Sequence, residues 1–184
     1  MHKHGLREKK YILAVGRFVP EKGFDDLITA FSLGNYENWQ LVIVGDADHE
    51  DEYSRDLKMK ARKNRNIILT GFLTGGPLQE LYSHAGLFVL PSYYEGLPIV
   101  LLEAMSYGLL CITSDIPANK NVELSDDSFF KTGDVNMLSK KIEQFISKSW
   151  GEEDKNRQIN IIAEKYSWEL IANETLKVYK HLLS

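Results

Sequence analysis

Five short apolar runs, each closed at once by a glycine, proline or serine, constrain this chain more than any other feature. Tyr11-Ile-Leu-Ala-Val15 stops at Gly16, Leu41-Val-Ile-Val44 at Gly45, and Ile67-Ile-Leu-Thr70 at Gly71. Leu87-Phe-Val-Leu90 stops at Pro91, and Leu110-Cys-Ile-Thr113 at Ser114. Runs this short with no polar alternation read as strands buried on both faces, as in a parallel sheet covered by helices. Between them lie segments of helical spacing. Phe24, Leu27, Ile28 and Phe31 follow i, i+3, i+4, i+7, so an amphipathic helix begins near Asp25. Residues 50–65 read as a solvated, charged helix with Tyr53, Leu57 and Ala61 inward, and residues 77–85 as a short helix. Pro98 is placed at the first helical position of the next, with Ile99, Leu102 and Met105 on it and Gly108 as its stop. This alternation predicts an α/β fold, a doubly wound and mainly parallel sheet with right-handed crossovers. Ligands of such sheets lie outside the carboxyl ends of the strands. Gly16, Gly45, Gly71, Pro91 and Ser114 therefore mark one edge as the place to look.

The rest of the chain is consistent with one domain over residues 1–184, within the usual size range. Phe129-Phe130 suggests an edge strand and Gly133-Asp134 a turn; Met137, Leu138, Ile142, Phe145 and Ile146 mark a helix. A polar break follows over residues 150–155, then a helix bearing Ile159, Ile162 and Ala163. Ser167 is suited to cap a last helix over residues 168–183, with Trp168, Ala172, Thr175, Tyr179 and Leu182 along one face. A net charge of −4 argues against nucleic acid as the main partner. Cys111, the single cysteine, sits in an apolar run and reads as a buried, inert thiol. The first ten residues hold no apolar leader segment, and no run approaches membrane-spanning length, so a cytoplasmic protein is expected. The basic end of the 50–65 helix is suited to peripheral contact with an anionic membrane, though a plain solvated face explains it as well.

Three stretches carry candidate chemistry. Gly16-Arg-Phe-Val-Pro-Glu-Lys-Gly23 puts a glycine-bearing turn between a strand and a helix N-terminus, a recipe for anion binding. It is neither G-x-G-x-x-G nor a Walker loop, so nicotinamide and P-loop readings fit poorly. Asp46-Ala-Asp48 could hold a hard divalent cation, since carboxylates suit one, or could be an ordinary loop with His49 as a surface neighbour. The densest stretch is Pro91-Ser-Tyr-Tyr-Glu-Gly-Leu-Pro-Ile-Val-Leu-Leu-Glu-Ala-Met-Ser-Tyr-Gly108. Its glutamates, Glu95 and Glu103, have seven residues between them. Glu103 lies in an otherwise apolar helix and is expected to be buried, which is costly unless hydrogen-bond donors such as a ribose diol meet it.

That stretch resembles the E-x7-E region of the family 4 glycosyltransferases, retaining enzymes of two-domain GT-B architecture. Their form is close to P-S-x-x-E-G-x-P-x-x-x-L-E-A-M-x-x-G, and the loop after the first strand resembles their G-R-x-x-x-x-K-G signature. The resemblance covers residues 10–183 and implies the Rossmann-like, C-terminal, donor-binding half of such an enzyme. It implies that Arg17 and Lys22, beside Gly16, grip the donor diphosphate, and that Glu95 contacts the sugar; these three would be the catalytic set. The Gly96 and Leu97 amides would face the leaving phosphate, Glu103 the ribose, and the Gly71-Phe72 backbone the base. No metal cofactor is expected, because the cations do that work. The implied partners are a nucleoside-diphosphate-sugar donor and an N-terminal acceptor domain that this chain lacks, with weak self-association of any face left uncovered. Where the family often places a glutamate followed by valine, this chain has Asn121-Val122, and nothing is carried over there. A non-catalytic sugar-nucleotide-binding module needs the same residues except a functional Glu95. A GT-B-like phosphorylase or epimerase has no identifiable lysine for a pyridoxal cofactor.

Overall fold

The apolar runs become strands because neither of their faces tolerates water. In the computed structural model, which describes residues 6–182, they form one parallel six-stranded sheet. The strands are β1 (Tyr11–Val15), β2 (Gln40–Val44), β3 (Ile67–Leu69), β4 (Leu87–Leu90), β5 (Cys111–Ser114) and β6 (Phe129–Phe130). Their order is β3-β2-β1-β4-β5-β6, and every neighbouring pair is parallel. All residues of β1, β4 and β5 are buried. The pleat sends Ile12 and Ala14 into one core and Tyr11, Leu13 and Val15 into the other.

Helices α1 (Phe24–Leu33), α2 (Glu52–Arg62), α3 (Gly75–His84), α4 (Ile99–Ser106), α5 (Pro117–Lys120), α6 (Val135–Ile146), α7 (Glu152–Lys165) and α8 (Trp168–Leu182) follow in chain order. The first core is closed by α1, α2 and α6 through Leu27, Phe31, Leu57, Ile142 and Phe145. The second is closed by α3, α4 and α7 through Leu81, Leu101, Met105 and Ile162. The expected doubly wound architecture is present. Strand order reverses between β1 and β4, so the loops that follow them leave in opposite directions and flank the switch point. Cys111 is fully buried, as its apolar run predicts.

Local departures have physical causes. Pro98 is the cap of α4 rather than its first residue, and its carbonyl accepts from Leu101 and Leu102. Most of the supposed polar break is the first turn of α7, where Glu152, Glu153 and Asp154 favour the positive end of the helix. The short α5 was not anticipated; Pro117 at its first position, after an extended Ile116, is its start signal. Residues 1–5, which carry part of the leader argument, and Leu183, where the last helix was expected to end, lie outside the described residues. No described helix is long and apolar enough to cross a membrane. Helix α8 buries none of its residues and leaves Trp168 and Leu182 at 83% and 75% exposure.

One backbone contact sets the geometry of the strand-end edge. Gly45 has φ 137°, a conformation that L side chains rarely adopt, and a Cβ there would lie 1.8 Å from the Gly16 carbonyl oxygen. Gly45→Ala should therefore cost well over ~1 kcal/mol of stability, and urea denaturation checks it. A midpoint equal to the parent's would show that this edge can open without loss.

Candidate functional site

The site is assembled from the loops that leave the carboxyl ends of β1, β2, β3 and β4. Gly16 N–H donates to the Val44 carbonyl at 3.0 Å, Phe18 N–H to the Asp46 carbonyl at 3.0 Å, and Gly45 N–H to the Gly71 carbonyl at 3.0 Å. Three of the strand-closing residues predicted from sequence thus form one continuous edge. Phe72 extends from it and is 78% exposed.

Past Gly16 the chain makes a 3-10 turn, Pro20–Lys22, and enters α1 through Gly23 at φ 62°. A Cβ on Gly23 would lie 2.4 Å from the Pro91 carbonyl oxygen, so this loop packs directly on the one after β4. Tyr93 N–H donates to the Glu21 carbonyl at 2.8 Å, and Lys22 Nζ meets Glu95 Oε1 at 2.7 Å. These two side chains are 19% and 8% exposed, so the pair is largely removed from water. Ser92 Oγ donates to the same Oε1 at 2.7 Å. Glu95 Oε2 has no hydrogen bond among the described residues.

Ser92 is itself held in place. Its carbonyl accepts from Ser114 Oγ, and Asn119 Nδ2 donates to both the Oγ and the carbonyl of Ser114 at 3.1 Å. Ser92, Ser114 and Asn119 are all fully buried. A buried polar chain is tolerated when its members satisfy one another, and it then stiffens what it touches. What it touches here is the Glu95 loop.

After Glu95, Gly96 and Leu97 are exposed residues, and their amides donate no hydrogen bond among the described residues. They lie just before α4, where free N–H groups and the helix dipole both favour an anion. The start of α1 is different. Its first turn already carries Asp25 and Asp26, which accept from the Tyr53 and Tyr93 hydroxyls at 3.1 Å and 2.5 Å. The bond to Asp26, with some desolvation, pushes the Tyr93 hydroxyl up to about 12. Anion binding is therefore better served at α4 than at the helix that follows the first loop.

The other predicted residues are placed as follows. Arg17 reaches out to Asp48 at 2.9 Å, with both side chains about two-thirds exposed (64% and 68%). Asp46 pairs with Lys58 at 2.8 Å, and that hydrogen bond holds its carboxyl below the usual range. Each acid of Asp46-Ala-Asp48 thus has a cation partner, and His49 is exposed. Glu103 is a correction: it is exposed, not buried. Leu101, Leu102, Ala104 and Met105 take the inward arc of α4, which turns Glu103 outward. Its Oε2 accepts from the Tyr82 hydroxyl at 2.9 Å. Gly16, Lys22, Glu95, Gly96 and Leu97 therefore lie on the two loops that flank the switch point, while Arg17 turns out to Asp48 and Glu103 lies on the outer face of α4 against Tyr82. Sequence reasoning marks Ser114 as one of the strand ends on this edge but does not single out Ser92, Asn119 or Tyr82. Ser92 follows Pro91 at the end of a fully apolar run, which is a usable signal; Asn119 and Tyr82 have none.

These features define a doubly wound α/β domain with a cation, a carboxylate and open amides at its switch point. The chain belongs to the family described as "Glycosyl transferases group 1", whose model matches residues 1–166. It is similar to an uncharacterized glycosyltransferase of Methanocaldococcus jannaschii, 33% identical over 178 residues, 94% of this chain and 45% of that protein. It is also similar to O-antigen chain mannosyltransferase B of Escherichia coli, 29% identical over 99% of this chain and 49% of that protein. Among solved structures it resembles Anabaena HepE in complex with UDP and glucose, with TM-score 0.87 and 17% identity over 97% of this chain and 50% of that one. Sucrose-phosphate synthase from Thermosynechococcus elongatus gives TM-score 0.85 and 22% identity over 99% and 48%. At these identities the two structures bear on the fold alone. The chain spans about half the length of the curated relatives it matches.

Because Lys22 and Glu95 shield each other, removing either one strands the other in a poorly hydrated place. Lys22→Met and Glu95→Gln should each destabilise the fold, and the double variant by less than their sum. The coupling expected is about 1 kcal/mol, given the partial exposure. A double-mutant cycle by urea denaturation measures it, and additive losses would show the contact to be incidental.

Proposed function

We propose that this chain is the donor-binding half of a retaining, family 4-type glycosyltransferase that uses a nucleoside-diphosphate sugar. The observation that carries the reading is the Lys22–Glu95 pair beside the open Gly96 and Leu97 amides at the switch point. Transfer breaks the bond between the anomeric carbon and a nucleoside diphosphate, and negative charge develops on the departing phosphate. Cations and amides already aimed at that charge lower the barrier. Lys22 and the two amides are the preorganised part, and Arg17 joins by exchanging Asp48 for phosphate. Glu95, whose Oε2 makes no hydrogen bond among the described residues, accepts from a sugar hydroxyl. Gly71 and Phe72 take the base and Glu103 the ribose. The exposed position of Glu103 suits contact with a ligand better than the buried one expected for it.

The relatives support a hexose donor. Those from Escherichia coli include mannosyltransferases and a galactosyltransferase, and the Anabaena structure contains UDP and glucose. Polysaccharide or lipid-linked acceptors and a cytoplasmic, membrane-peripheral location fit the same company. The acceptor is held by a second domain, in cis or in trans. We infer no resident metal, since Asp46 and Asp48 have cation partners and the diphosphate charge is met by Arg17 and Lys22.

Charge-assisted bonds to phosphate are the strong kind. Arg17→Ala and Lys22→Ala should therefore each weaken nucleoside diphosphate by about 1.5–3 kcal/mol while barely changing the bare nucleoside. Calorimetric titrations with UDP, GDP and ADP against their nucleosides, with and without chelator, give the comparison. Equal losses for both ligand types would remove the cations from the phosphate site, and rescue by Mn²⁺ after chelation would restore a metal to it.

A donor wall alone holds one of two reactants, and proximity contributes as much as ~7–11 kcal/mol to such a transfer. The chain by itself should bind nucleotide and transfer no sugar at an appreciable rate, and a separately supplied N-terminal domain should restore transfer. Labelled-donor assays with and without that domain check this. Restoration that survives Glu95→Gln would favour the alternative of a binding module, and transfer by the chain alone would place the acceptor site here.

A further inference from the structure

Tyr82 lies in α3 with 2% of its surface exposed. Its ring packs near Phe88 of β4 at 6.1 Å and stacks on Tyr107 at 5.3 Å with 12° between the planes. Phenylalanine would meet all of that packing. The hydroxyl is what packing leaves unexplained. It reaches Glu103 Oε2 at 2.9 Å, while the next acceptor, the Val100 carbonyl, is at 3.4 Å. A phenol has one proton to donate, and the shorter bond to a carboxylate is the stronger. Burial first, and then the Glu103 charge, push the Tyr82 hydroxyl far above its ordinary range. It therefore remains a donor throughout the accessible pH range.

The consequence falls on Glu103. An exposed glutamate is free to sample many rotamers, and ordering it on binding costs entropy. Here one oxygen is pinned from a rigid core residue, and Oε1 has no hydrogen bond among the described residues. We propose that Tyr82 is a positioning residue for nucleotide recognition: it fixes the Glu103 carboxylate so that Oε1 is presented to a ribose hydroxyl. This rests on the reading of Glu103 as the ribose acceptor. The arrangement parallels the one at Glu95, where a buried hydroxyl, that of Ser92, also occupies one carboxylate oxygen and leaves the other open.

A purely structural role for Tyr82 would alter stability or weaken every ligand alike. A positioning role alters the preference for the ribose hydroxyls. The test is calorimetry on the full chain with UDP and GDP, each beside its 2′,3′-dideoxy counterpart, for the parent, Tyr82→Phe and Glu103→Gln. The parent should prefer the ribonucleotide. Tyr82→Phe should cut that preference by about fivefold, the scale of one hydrogen bond, leaving dideoxynucleotide affinity and melting temperature nearly unchanged. Glu103→Gln should cut it at least as far. If Glu103→Gln lowers the preference and Tyr82→Phe does not, Tyr82 is packing alone and the proposal fails while the ribose role stands. If Glu103→Gln leaves the preference intact, or neither ribonucleotide binds, the ribose role fails and the proposal with it. An equal loss for ribo- and dideoxynucleotide in Tyr82→Phe also overturns it.

Discussion

The contact between Lys22 and Glu95 ties together two loops that the fold would otherwise send apart. A doubly wound sheet opens a crevice at its switch point because the helices after the two central strands leave on opposite sides. That crevice is useful only if its walls hold a fixed spacing. Three contacts do so here: the ion pair, the Tyr93–Glu21 backbone bond, and the close seating of Gly23 on the Pro91 carbonyl. The ion pair is the costliest, since both charges are mostly out of water. Its cost is reduced because Ser92 gives Glu95 a second donor, which a lone lysine could not.

The same logic extends inward. Ser92 is fixed by Ser114 at the end of β5, and Ser114 by Asn119 on the short α5. The Asn119 Oδ1 is buried and has no hydrogen-bond partner among the described residues, so the chain of bonds ends there in an unsatisfied atom. Carrying that penalty in a fully buried place is consistent with Nδ2 being the useful end of the side chain. The result is a carboxylate whose position is set by the sheet rather than by a loop, which keeps a site within tight geometric tolerance.

The fold was legible in the sequence because two-sided burial is a local property. A run such as Leu87-Phe-Val-Leu90 has no polar face to offer, and the glycines after β1, β2 and β3 announce where each strand must turn. Arg17, Lys22 and Glu95 are singled out by the resemblance of their two loops to family motifs, whereas the meeting of Lys22 with Glu95, 73 residues away, is not readable from either loop. Glu103 departs from its expected burial because apolar neighbours in sequence are not its neighbours in space. On a helix, residues 101, 102, 104 and 105 crowd one arc, and 103 falls opposite. Its partner Tyr82 lies 21 residues away on another helix, and Ser114 lies 22 residues from Ser92. No periodicity carries such pairs. They arise only once parallel strands have been laid side by side.

The last helix raises a different physical question. Isolated helices shorter than ~12–15 residues are marginal in water, and α8, at 15 residues, buries none of its side chains. Yet Leu170, Ile171, Leu176, Val178, Tyr179 and Leu182 give it far more exposed apolar surface than a solvated helix needs. The family match ends at residue 166, before this helix starts. Its composition suits burial against another surface, and none of the described residues supplies one. In the reading proposed above that surface belongs to the acceptor-binding domain. The helix then does for the two domains what Lys22 and Glu95 do for the two loops, fixing the distance between walls of one cleft. Apolar burial suits the larger span, since it needs no exact partner atom, while a directed ion pair suits the smaller one, where a fraction of an ångström decides whether a carboxylate meets its ligand.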